Sequence, residues 1–293
     1  MYNLTYNLHH PLPGEPVDIT SIPVIRLQRE TPLLDIDEQE IMISNSPEIV
    51  KNDGILYSDY LTGENRLYYH HINGSSETKN IYLLVKNSGH TPASLTLKRW
   101  GTAGPSDPMS VGRTAVNRYF SHGAQNSARL VLQPGEIKII NQGTGNIINP
   151  GEATNGIYDI KTTDQLFFAV VALGNDKTIA EYENLPLLTG DGIHIRGTYP
   201  VANRIMSLEL EGTEPTRLVL ADGIEDAFII GEDRSNDITG ISELIKQNKG
   251  NYGVVYSITI TSKQRVGIIF TPRGGMYTGA GQWDGRAFNI PNR

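Results

Sequence analysis

Along much of this chain apolar and polar residues alternate with a period of two, in short runs separated by polar, glycine- and proline-marked turns. A first block holds residues 81–86, a turn at 87–92 and residues 94–100, then 130–132, a turn at 133–136 and 137–140. A second holds residues 251–261, a turn at 262–264 and residues 266–271. Short, regularly spaced strands with such turns predict antiparallel β-sandwiches. The segments 54–57 and 65–71 have the spacing of a hairpin around residues 62–65. Residues 166–173 are continuously apolar, as expected of a central strand buried on both faces. In the run 251–261, Val254, Tyr256, Ile258 and Ile260 share one face, which should lie against a core.

One segment breaks the period of two. Met109, Val111, Ala115, Val116, Tyr119 and Phe120 follow helical spacing, Asp107-Pro108 supplies an N-cap with proline at the first helical position, and Gly123 a stop. A helix over 107–121, packed on the first sandwich, follows from this. A second short helix is expected over 241–248. A turn-forming seam at 189–192 divides the two blocks, and 293 residues exceed the usual size of one sandwich. The expected fold is therefore all-β with one or two short helices, in two tandem antiparallel β-sandwich domains, 21–188 and 189–293. A strand and proline-rich linker at 1–20 precede them.

Within that leading segment Tyr2, Leu4, Tyr6 and Leu8 fall on one face and Asn3, Thr5 and Asn7 on the other. An isolated amphipathic strand must find a sheet edge. It can add to its own domain's sheet, or augment a sheet on a neighbouring molecule.

Composition narrows the classes. Net charge is −7 with the basic residues scattered, whereas a nucleic-acid binder shows a basic stripe. The longest apolar run, 166–173, is far too short to span a bilayer. No cysteine is present, so disulfides and thiolate chemistry are excluded. Residues 1–10 lack the charged and apolar regions of a secretory signal. With the Asn-, Gly- and Tyr-rich strands, the chain reads as an exported protein whose leader lies outside this sequence.

The search for chemistry returns little. There is no Gly-x-Ser-x-Gly elbow, no His-Glu-x-x-His helix and no phosphate-binding loop. Gly279-Ala280-Gly281 lacks a correctly placed third glycine for a dinucleotide site. His70-His71, adjacent on a strand, should point to opposite faces, one inward and hydrogen-bonded, one exposed. The acidic stretches 35–40 and 233–237, the latter with Asp226 and Glu232 nearby, read as solvated loops. Residues 233–237 miss the spacing of a calcium loop, so no cofactor is expected, with a surface calcium site as the alternative. Sugar binding would use exposed aromatic rings: Trp100, or Tyr277 and Trp283 within a glycine-rich terminal stretch, 274–285.

Several strand-and-turn motifs carry a resemblance. They are Gly54-Ile55-Leu56-Tyr57 through His70-His71-Ile72-Asn73-Gly74, residues 87–100, Gly104-Pro105-Ser106 leading into Val111-Gly112, and Leu132-Gln133-Pro134-Gly135-Glu136. Arg196-Gly197-Thr198-Tyr199-Pro200, Asn251-Tyr252-Gly253-Val254 and Pro272-Arg273-Gly274-Gly275 complete the set. Together, over residues 54–281, they resemble a group of uncharacterised exported β-rich proteins of Gram-positive bacteria, often named after or found beside the copper-amine-oxidase-type N-terminal domain. The resemblance implies an extracellular or cell-surface setting and no activity. The oxidase itself builds its quinone on the tyrosine of Asn-Tyr-Asp/Glu and binds copper through His-x-His. Here Asn251-Tyr252 is followed by Gly253, and no His-x-His occurs.

The reading that follows is a non-enzymatic structural or adhesive protein, possessing as partners copies of itself or other cell-envelope proteins. It would assemble through the strand at Tyr2, Leu4, Tyr6 and Leu8. The alternative is a carbohydrate-binding module that uses Tyr277 and Trp283 against a polysaccharide. A third is a β-sandwich hydrolase or lyase with unassigned carboxylates.

Overall fold

The computed structural model describes residues 39–122, 127–143, 146–210, 216–235, 245–263, 265–272 and 277–290, and the fold is that of these residues. In chain order the strands are β1 (Glu40–Ser44), β2 (Ile49–Val50), β3 (Gly54–Leu61), β4 (Glu64–Asn73), β5 (Lys79–Lys86) and β6 (Ala93–Ser106). Helix α1 (Pro108–Ser121) follows, then β7 (Ala128–Leu132), β8 (Ile137–Ile139), β9 (Ile147–Ile148), β10 (Ala153–Thr162) and β11 (Leu166–Gly174). After a 3-10 turn at Ile179–Asn184 come β12 (Arg196–Tyr199), β13 (Asn203–Leu210), β14 (Ile230–Glu232), β15 (Ile245–Gln247), β16 (Val255–Ser262), β17 (Gly279–Trp283) and β18 (Arg286–Ile290). The chain is mostly β with few short helices, as its patterning predicts.

The larger sheet runs β15-β14-β12-β1-β4-β10-β6-β7, with β2 beside β4; the smaller runs β3-β11-β5-β8, with β9 beside β5. They pack face to face: Leu67, Tyr69, Leu95, Tyr158 and Ile160 of the larger meet Leu56, Leu83, Val85, Phe168 and Val170 of the smaller in one buried cluster. Strand β11 lies between β3 and β5 and is buried on both faces, as its apolar run requires. The 3-10 turn covers the outer face of the smaller sheet through Tyr182. Beyond the seam the chain returns to the larger sheet through β12, β14 and β15. Only β13·β16 and β17·β18 form separate two-stranded sheets. Most pairings are antiparallel, but β1·β4, β2·β4 and β13·β16 are parallel.

The expected hairpin of 54–71 does not form. Gly63 makes a turn with positive φ, but β3 goes to the smaller sheet and β4 to the larger. The turns at 87–92 and 133–136 likewise carry the chain across the core, from β5 to β6 and from β7 to β8. Buried asparagines hold these crossings. Asn87 donates to the carbonyls of Thr91 and Leu132 and accepts from the Gly89 amide. Asn73 does the same for Glu77, Ile148 and Ser75 where β4 leaves for β5. Backbone groups that leave a ladder inside a core need partners, and a side-chain amide offers both donor and acceptor.

Other expectations are corrected. Residues 245–247 are not helical but form the edge strand β15, because β14 offers an unpaired row of backbone groups; 236–244 lie outside the described residues. Residues 266–271 form no strand, and Ile269 is 83% exposed: apolar content makes a strand only where a partner completes its ladder. The apolar face of β16 is not sealed in a core either, since its sheet has two strands and Ile258 remains 36% exposed.

Helix α1 forms where expected. Asp107 accepts from the Ser110 amide at its start, and Val111, Ala115 and Tyr119 are buried against the outer face of the larger sheet. Gly101 on β6 permits this close approach, because a methyl there would land on the Ala115 carbonyl and the Tyr119 amide. Tyr119 reaches Arg66 at the middle of β4, which is 1% exposed. All five guanidinium N–H groups of Arg66 are used: on Asp159 (2.7 Å), on the Ala202 and Gly253 carbonyls, on Tyr119 and on Asn203. The Tyr119 hydroxyl donates to the other Asp159 oxygen at 2.5 Å. Burial alone would depress the guanidinium pKa, but Asp159 and Tyr119 outweigh it and the net shift is upward. Replacing Asp159 with Ala strands that buried cation. We expect a loss of about 3–5 kcal/mol in urea unfolding; a loss below roughly 1 kcal/mol, the range of surface pairs, would contradict this account.

Candidate functional site

The candidate assembly strand, Tyr2, Leu4, Tyr6 and Leu8, lies outside the described residues, as do His9-His10. The rings of Tyr277 and Trp283, expected to bind sugar, make no ring contact with each other among the described residues. Tyr277 packs against Phe270, with ring centroids 5.0 Å apart. Trp283 ends β17 and is 50% exposed. Over 279–290 the glycine-rich stretch and the residues after it form a hairpin, in which β17 and β18 are joined by Asp284-Gly285 with φ of 47° and 75°, the geometry of a type I′ turn. Side chains alternate across this hairpin. Gln282 and Asn289 face α1, where they bond the Phe120 carbonyl and Asn117. The opposite, outward face carries Trp283 and Phe288, both about half exposed, with Gly281 leaving room beneath the Phe288 ring. Phe288 is the aromatic partner that inspection of the sequence missed.

Trp100 sits at the other side of the α1 C-terminus. Its ring meets the His122 ring at a centroid distance of 3.8 Å, tilted by 47°. Trp100, Gly101, Thr102, Arg118, Ser121 and His122 line an open groove of about 320 Å³.

His70 and His71 are both buried, against the expectation that one is exposed. They do point to opposite faces, but each face is covered. His71 donates from Nδ1 to the Pro47 carbonyl, so Nε2 accepts from the Ser44 hydroxyl at 3.0 Å. That serine–histidine pair is sealed from solvent and cannot meet a substrate. His70 accepts from Asn155 at Nδ1 and turns Nε2 towards Glu48, 3.5 Å away. The other Glu48 oxygen meets His194 Nε2 at 2.8 Å, and His194 Nδ1 meets Asp191 at 2.8 Å. Asp191 also accepts from the amides of Glu48, Ile193 and His194 and from the Ser46 hydroxyl. This row of alternating carboxylates and imidazoles clamps the seam segment onto the loop after β1.

Burial pushes Glu48 upward despite His194. Burial also opposes the charge on Asp191, but its hydrogen bonds to Glu48 and His194 hold its pKa well below the carboxylate range. For the two strand histidines burial dominates, driving His70 down to about 4 and His71 to about 3.

The acidic groups once considered for calcium face cations instead. Asp233 pairs with the buried Arg196 at 2.7 Å, Glu232 lies 3.7 Å from Arg234, and Asp226 pairs with Arg204 while accepting from Tyr256. No cluster of three His, Asp or Glu groups suited to a metal ion occurs among the described residues, and no described helix is long and apolar enough to cross a membrane. Comparison with family profiles, with curated proteins and with solved structures gave no match.

The histidines set a pH dependence with a definite sign. Unfolded, each takes up a proton near pH 6.5; folded, His70 and His71 stay neutral down to about 4 and 3. The unfolded state therefore binds more protons between these values, and their stabilising effect is present above pH 6.5 and lost as pH falls. The slope is about 1.4 kcal/mol per pH unit for each histidine. Urea midpoints measured from pH 7.5 to 4.5 should fall, and more gently in His71→Asn than in the wild type. Parallel curves would show that His71 does not set the slope.

Proposed function

We propose that this chain is a structural or adhesive module of the cell surface that works through contacts with copies of itself or with other envelope proteins. The observation that carries the reading is the way its buried polar groups are used. Arg66 with Asp159, Arg196 with Asp233, Arg204 with Asp226 and the His–Glu row each join distant segments of the fold. Apolar side chains, by contrast, stand exposed in the last third of the chain, among them Ile205, Ile224, Ile258, Ile269 and Phe270. The parallel pair β13·β16 has no further strand partner among the described residues. Free edges and exposed apolar groups favour association. The segment Tyr2–Leu8, whose sequence alternates apolar and polar residues, is the donor we assign to such an edge on a neighbouring molecule.

Light scattering across a concentration series tests this directly. The wild-type chain should grow in mass with concentration, while a variant with Tyr2, Leu4, Tyr6 and Leu8 changed to Ser should remain monomeric with an unchanged circular dichroism spectrum. A wild-type monomer at every concentration would remove self-assembly, and assembly untouched by the four substitutions would remove the strand-donor mechanism.

The outward face of the β17–β18 hairpin favours a second reading, carbohydrate binding. Trp283 and Phe288 there offer two half-exposed rings on a backed β-ribbon. On a glycan array Trp283→Ala should weaken binding about tenfold, equivalent to roughly 1.4 kcal/mol of lost apolar burial. Binding indifferent to that substitution would count against the platform.

A further inference from the structure

The geometry points to a second binding site, the groove between β6 and the C-terminal end of α1, whose ligand is a carboxylate-bearing sugar such as a hexuronate. The inference goes beyond the aromatic platform: it names another site and the charge of its ligand, and it stands whether or not the chain self-assembles. At about 320 Å³ the groove lies at the small end of ligand-site volumes, suited to one small ring rather than a buried polymer. The half-buried Trp100 ring is one of its walls, with the His122 ring packed on it at a centroid distance of 3.8 Å.

The polar groups around the groove are mostly donors. Arg118 spends one N–H on the Thr102 carbonyl at 2.5 Å and meets no carboxylate among the described residues. Four guanidinium donors remain, in a fork that matches a carboxylate. The Trp100 indole N–H has no acceptor among the described residues, and the Ser121 hydroxyl lies at the rim. No acidic side chain lines the groove among the described residues. A site rich in donors and without carboxylates among the described residues is complementary to a ligand rich in acceptors and negatively charged. The C-terminus of α1 brings partial negative charge to the same place, so any preference for an anion has to come from Arg118.

Most other lysines and arginines of the described core are already paired: Arg66, Lys79, Arg196, Arg204 and Arg234 each face at least one carboxylate. Arg118 differs in being exposed beside an aromatic ring and, among the described residues, bonded only to a carbonyl. Its exposure also means that it can be replaced without opening the core.

Trigalacturonate and its fully methyl-esterified counterpart differ in charge and share a backbone, so calorimetric titration with the pair isolates the contribution of Arg118. The acid should bind at least about tenfold more tightly than the ester, the effect of one charge-assisted contact. Arg118→Ala should abolish that preference, Arg118→Lys should restore part of it, and Trp283→Ala should leave it intact. Equal affinity for acid and ester, a preference that survives Arg118→Ala, or no binding of either sugar would overturn the inference. Neutral glycans held through Trp283 without charge preference would overturn it while leaving the platform standing.

Discussion

A full positive charge lies inside this protein, and the arrangement around it follows from the need to satisfy it. Arg66 is in the middle of β4, on the face of the larger sheet opposite the main core. An unpaired guanidinium at that depth would cost several kcal/mol. Its five donors are met by β10 through Asp159, by α1 through Tyr119, by the Asn203 side chain and by the backbone carbonyls of Ala202 and Gly253. Gln39 closes the ring by bonding both Asp159 and Asn203. Segments separated by more than a hundred residues thus arrive at one side chain. Apolar contacts alone would let the helix and the returning chain slide on the sheet. A fork with five fixed acceptors does not.

The same logic explains how much of the fold was legible in the sequence. Strand and helix positions were readable wherever one residue type decided the local state: the buried run of β11, the Asp107-Pro108 start of α1, the alternation of β6. What the strands pair with was not. Two strands joined by a tight turn look alike in sequence whether they lie side by side or face each other across a core, because both need alternation and both need a turn. The distinction rests on Asn73 and Asn87, whose amides replace the ladder bonds lost at the crossing. An asparagine beside a turn is so ordinary that its burial cannot be guessed. Edge strands were misread for a related reason. Residues 245–247 became a strand because β14 was there to receive them, a fact of tertiary structure that local propensity does not contain.

Candidate site residues divide along that line. The β17–β18 hairpin has a local signal, the Asp284-Gly285 dipeptide between two short runs, but the surrounding glycines obscure it. Recognising it would have placed Phe288 on the same face of the ribbon as Trp283. The Glu48–His194–Asp191 row had no local signal at all. Its members come from the loop after β1 and from the seam, and only the packing of β1 between β4 and β12 brings those segments together. The groove is of the same kind, since Trp100 and Arg118 come to line it together only because Gly101 lets the helix settle on the sheet.

Helix α1 therefore links the molecule's interior to both of its candidate surfaces. Tyr119 points inward to Arg66, while its neighbours Arg118 and Phe120 serve the groove and the hairpin contact respectively. Successive helical residues diverge by about 100°, so three adjacent positions can address three different surroundings. The consequence is asymmetric. A change at Arg118 acts on the groove alone, because the side chain is exposed and, among the described residues, bonds only a carbonyl. A change at Tyr119 releases the helix from the buried cation and disturbs groove and hairpin together. Loss of binding in a Tyr119 variant would thus say nothing about which surface holds the ligand. The exposed residues on either side of the helix are where function can be separated from fold.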